Sequence, residues 1–150
     1  MRTVVWVLCL VSAACGDTRH LISLSGDLNR EYRDTRVGVG LTDGLILTVT
    51  LADSPLALAS CDRQAGLAVR VAAFVHDHYA GFDSLQVINV AFTTRAARDS
   101  AAGSLPRLPF RFAPAAIRAG GGTSDSAHAA DTCRAWDELN GIPTRPTGAP

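Results

Sequence analysis

The residues with the most chemical potential are His76-Asp77-His78. Two imidazoles flanking a carboxylate could serve a metal site or an acid–base pair. They are the basis for one reading of the chain, a small hydrolase or metal-dependent enzyme using His76, His78 and nearby Asp. Their spacing opposes it. The trio ends an apolar stretch of helical period, and residues two apart on a helix stand about 200° around the axis. Metal-binding helices use i, i+4 spacing instead. Asp77, adjacent to His78, is not placed to orient it as a triad acid would. In a last helical turn, a cationic His is simply favoured by the helix dipole.

Other constellations are equally sparse. There is no G-x-S-x-G elbow, phosphate loop or G-x-G-x-x-G motif. Gly38-Val39-Gly40 precedes a turn rather than linking a strand to a helix, and Gly120-Gly121-Gly122 lies in a Ser/Gly/Ala stretch. The sequence therefore assigns no catalytic, cofactor-binding or metal-ligating residue. All 14 basic residues are Arg, and 14 acidic residues balance them, for a formal charge of zero. Arg30, Arg33 and Arg36 are interleaved with Glu31 and Asp34. No net basic patch points to nucleic acid.

The cysteines say more. Residues 1–15 read MRTVVWVLCLVSAAC. Arg2 is followed by an apolar run from Val4 to Val11, far short of the roughly 20 residues a bilayer span needs. Small residues then precede Cys15. This is the pattern of a signal peptide over residues 1–14. With Cys15 directly after the small residues, it resembles a bacterial lipoprotein signal, although Ser12 stands where that pattern usually has Leu. The resemblance implies cleavage before Cys15 and lipidation of its sulfur. The expected location is then the bacterial cell envelope, periplasm or outer membrane, with the membrane as partner through a lipid anchor. Cys9 leaves with the signal. Cys61 and Cys133 remain, and in an oxidising compartment two leftover cysteines favour a disulfide bond.

The elements that must position these residues are legible in a central stretch. Val37, Val39 and Leu41 alternate with Arg36, Gly38 and Gly40; after Asp43-Gly44, Leu45, Leu47, Val49 and Leu51 alternate with Ile46, Thr48 and Thr50. Period two marks half-buried strands, and Asp-Gly between them marks a hairpin turn. After Cys61 the period becomes 3.6, with Leu67, Ala68, Val71, Ala72, Val75 and Tyr79 on one stripe and Arg63, Arg70 and Asp77 opposite. Ser60 or Asp62 would cap its start and Gly81 its end. Ile88, Val90 and Phe92 then mark a return strand. His20 to Ser25 reads as an early strand, and Leu108, Phe110 and Phe112 as an edge strand beside Pro106 and Pro109.

The resulting expectation is an α+β fold of two layers, a mostly antiparallel β-sheet with one amphipathic helix packed on one face. The domains are a signal peptide (1–14), the α+β domain (15–118), a flexible linker (119–130), and a short helix with a disordered tail (131–150). Asp131 would cap that last helix, with Cys133 and Trp136 on one of its faces.

The succession LTDGLILTVTLADSP, LAVRVAAFVHDHY, LQVINVAFT also resembles small uncharacterised bacterial predicted lipoproteins. The matching features are the hairpin ending at Leu47–Leu51, the Ser54-Pro55 loop, the Ala73–Tyr79 helix and the Val90–Phe92 strand. The resemblance implies compartment and fold and carries no activity. The leading reading is thus a non-enzymatic envelope lipoprotein, a binding or structural module with an envelope protein as a possible partner. The alternative is an exported enzyme built on His76 and His78.

Overall fold

The first hairpin follows from its turn. Asp43 and Gly44 both take positive φ (53° and 70°), the left-handed geometry in which the turn twists with its strands. They join β1 (Arg36–Thr42) to β2 (Ile46–Ala52), paired antiparallel with Val39 opposite Val49. This is a computed structural model; it describes residues 18–139 apart from 55, 57–58, 94–108 and 121. The expected signal segment, Cys15, Leu108 and the residues from 140 onward lie outside the described residues.

From β2 the chain enters α2 (Cys61–His78), named after the earlier helix α1 over residues 18–31. Every residue of the expected stripe, Leu67 through Tyr79, is buried, and Cys61, Gln64 and Ala65 extend it by a turn. Burying Val71 and Val75 fully contributes about 1.5–2 kcal/mol each. Ser60 is the N-cap but makes no side-chain capping bond, and the helix ends at Tyr79 rather than Gly81. Gly81 has a different task. A Cβ there would lie 2.9 Å from the Tyr79 ring, so a residue without a side chain lets that ring close the core.

A helix of 18 residues returns the chain about 27 Å. It delivers Gln86 beside the start of β2, where its N–H donates to the Leu45 carbonyl at 2.8 Å. β3 (Val87–Thr93) must therefore run in the same direction as β2, and the two pair in parallel. β4 (Phe110–Phe112) pairs antiparallel with β3 and is the other edge of a mixed sheet of order β1-β2-β3-β4. Two of the three pairings are antiparallel, in keeping with the expected mostly antiparallel sheet, and the β2–β3 pairing makes the sheet mixed.

The expectation of one helix is also corrected. Residues 18–31 are helical, not a strand over His20–Ser25. Leu21, Leu24 and Leu28 form an i, i+3, i+7 stripe; Leu24 and Leu28 are fully buried, while Ile22 stays 68% exposed. Residues 122–130, expected as linker, belong to a helix over Gly122–Leu139. Its buried side chains, Ala129, Ala130, Cys133 and Asp137, are small or polar. Asp131 lies inside that helix, paired with Arg134, and does not cap it. A short helix, α3 (Pro114–Arg118), precedes it, so the last helix is α4.

The inner sheet face (Val37, Leu47, Val49, Leu51, Ile88, Val90, Phe92, Phe110, Phe112) joins the helix stripes in one core. The alternate positions are mostly small or polar, among them Gly38, Gly40, Thr48, Thr50, Asn89 and Ala91, with Ile46 and Val87 the apolar exceptions at one end. α2 and α4 pack together and are joined by a disulfide between Cys61 and Cys133, Cα atoms 5.5 Å apart and 72 residues apart in sequence. Closing so long a loop stabilises by about 4 kcal/mol in the chain-entropy account. Among the described residues no helix is long and apolar enough to cross a membrane.

Candidate functional site

The clearest concavity lies where the sheet stops short. β4 has only three residues, and Ala113 and Pro114 turn the chain at once into α3. Proline at the first helical position suits that change of direction. α4 then returns across the same edge. The three elements enclose a chamber of about 580 Å³. Phe110, Phe112 and Trp136 supply aromatic wall, and Ala113, Ala116 and Ala129 supply room where larger side chains would fill it. Phe110 is held by an edge-to-face contact with Phe92, ring centroids 5.8 Å apart.

Four polar side chains reach the chamber: Asn89, Arg111, His128 and Thr132. They differ in how far the protein already occupies them. The Thr132 hydroxyl donates to the His128 carbonyl at 3.0 Å, a bond internal to α4. The Asn89 amide donates weakly to the Thr48 hydroxyl at 3.5 Å, and its buried Oδ1 has no partner among the described residues. Arg111 sits opposite Asn89 across the ladder, exposed, and forms no ion pair with any described residue. Among the described residues no carboxylate lines the chamber.

Its walls are fixed from outside. Arg118 at the end of α3 pairs with Asp83 at 2.9 Å and lies over the Phe82 ring. Arg134 of α4 bridges its own Asp131 and Asp62 at the start of α2. The bonds to Asp131 and then Asp62 hold the Arg134 pKa above its ordinary value. Behind the chamber, the disulfide adjoins Asp137, which is 3% exposed, with Oδ2 3.3 Å from Cys61 Sγ. A disulfide sulfur carries no proton, so this is a contact and not a hydrogen bond. Cys61, Cys133 and Asp137 are the one group of three clustered metal-ligating side chains among the described residues. While the sulfurs are bonded to each other, neither is a thiolate that could ligate.

A smaller hollow of about 330 Å³ lies beside Tyr32 and Arg70. Burial, the largest influence, pushes the Tyr32 hydroxyl above its usual range; nearby Arg70 opposes the shift and Glu31 adds to it.

The histidines are dispersed. His76 Nδ1 meets Asp77 Oδ1 at 2.8 Å, and its ring stands edge-on to Phe82. His78 stacks flat on Phe74, centroids 3.8 Å apart, and bonds the Phe74 carbonyl at 3.0 Å. The adjacent carboxylate thus pairs with the preceding His76 and not with His78. Both imidazoles are exposed. His20 is exposed on α1, and only His128 borders the chamber. Cys61 and Cys133 meet as expected. The chamber itself was missed; its one local signal was the shared face of Cys133 and Trp136 beside the Phe110/Phe112 alternation.

Comparison with known protein families, with curated proteins and with solved structures finds no match.

Proposed function

We propose that this chain is a non-enzymatic lipoprotein of the bacterial envelope, exported by residues 1–14, anchored through Cys15, and carrying a domain that binds a small molecule. The chamber at the β4 edge carries the binding part of this reading. Its size falls within the roughly 300–1,000 Å³ of small-molecule sites, and its lining has their usual form, mostly apolar with a few polar groups. The apolar run ending in small residues before Cys15 supports the anchor. The disulfide fits an oxidising compartment.

The anchor is tested by the mass of the mature N-terminal peptide from the membrane fraction, beside a Cys15→Ala control. The expected species begins at Cys15 and carries diacylglycerol, and the control is released from the membrane. An unmodified Cys15 in a soluble protein would remove the anchor from this account.

A further inference from the structure

The chamber's chemistry narrows what it would hold. Its walls are aromatic and aliphatic, so the body of the ligand is apolar. Among the described residues its charged or chargeable side chains are Arg111 and His128, both exposed, and no described Asp or Glu belongs to the lining. This contrasts with Arg30, Arg118 and Arg134, each of which is paired with a carboxylate of the protein. A guanidinium presents a planar fork of donors matched to a carboxylate, and at Arg111 no described residue uses it.

Resting on the binding reading above, we propose that the chamber takes a single-chain amphipathic monoanion, a carboxylate with an aliphatic or aromatic body. The body lies among Phe110, Phe112, Ala116 and Trp136, and the carboxylate meets Arg111. A neutral ligand of the same length would lose the charge-assisted bonds, and a cationic one would be repelled. Each methylene added to the chain should tighten binding about fourfold until the chamber is full.

Trp136 lines the chamber, and the only other tryptophan is Trp6. Its emission in a Trp6→Phe background therefore reports occupancy. The probes are decanoate, decanol and decylamine, checked by calorimetry. Decanoate should bind saturably, about tenfold tighter than decanol and more weakly as salt rises. Decylamine should bind weakest. Arg111→Gln, an exposed change, should bring decanoate down to the level of decanol, and Ala116→Phe should weaken both.

If decanoate and decanol bind alike and Arg111→Gln changes neither, the anionic class is wrong while the binding module stands. If none of the three probes binds saturably to a folded protein, both the inference and the binding part of the function fall. Neither result bears on Cys15, whose acylation is read separately by mass.

Discussion

At the β1 edge of the sheet the open backbone meets a side chain; at the β4 edge the chain stops short and leaves a chamber. Asn29, from α1, treats Val37 as a neighbouring strand would. Its Nδ2 donates to the Val37 carbonyl and its Oδ1 accepts from the Val37 N–H, both at 3.2 Å. One amide closes the edge locally, without another strand. An unpaired edge is a template for association, and a side chain in register removes part of it. β4 has no described counterpart to Asn29. Its three residues are backed by a short helix and by α4, which is fixed through a covalent bond and Arg134. One edge is closed by hydrogen-bond complementarity, the other by elements held at a distance.

The comparison breaks completely only if the core beneath both edges fails. Val71 and Val75 are fully buried, and Val71→Asp would bury a carboxylate without a cation. The cost is several kcal/mol, a large part of the stability of a chain this size. Circular dichroism should show loss of the cooperative thermal transition. A folded, monomeric product would overturn the packing of α2 on the sheet.

The next largest effect separates the edges. Cys133→Ser removes the covalent tie and should cost about 4 kcal/mol. The denaturation midpoint should fall, and wild type in reductant should behave the same way. Hydrogen exchange should rise first at β4 and α4, while the β1–β2 amides hold. Equal loosening at both edges would mean that the disulfide acts on the whole domain.

Asn29→Ala addresses the other edge. It removes both bonds to Val37 and another from Asn29 to the Ser25 carbonyl at 2.7 Å. The expected loss is about 1–2 kcal/mol, with faster exchange of the Val37 amide and no change in Trp136 emission. A spectral change at Trp136 would couple the two edges.

The smallest effect belongs to Arg134→Ala. Its partners are exposed carboxylates, and such pairs contribute little and are screened by salt. The melting temperature should shift slightly at low ionic strength and not at all at high. A large, salt-independent shift would make Arg134 a main support of α4.

The same contrast separates what was legible in the sequence from what was not. The hairpin could be read because Asp43-Gly44 and the alternating valines and leucines are all local. The α2 stripe could be read because its buried residues are large and periodic. α1 was masked by a coincidence. Over six residues, Ile22 and Leu24 alternate acceptably with Leu21 and Ser23, and only Leu28 reveals the longer period. The part of α4 from Asp131 onward is legible as a short helix, but the first half of α4 hides for a different reason. Its buried face is Ala129, Ala130, Cys133 and Asp137, so no run of large apolar residues announces it. The parallel pairing of β2 with β3 depends on where α2 delivers the chain, which is a tertiary fact. The chamber is assembled from residues as distant as Asn89 and Trp136, and no window of sequence contains it. The Cys61–Cys133 pair was found by elimination among four cysteines, the kind of long-range contact that counting can reach.

That bond also changes what a protease can do. β3, β4 and α3 lie between Cys61 and Cys133, so cleaving the backbone once anywhere in that interval makes two polypeptides that remain one molecule. On a gel without reductant the nicked protein keeps its size; with reductant it separates into fragments.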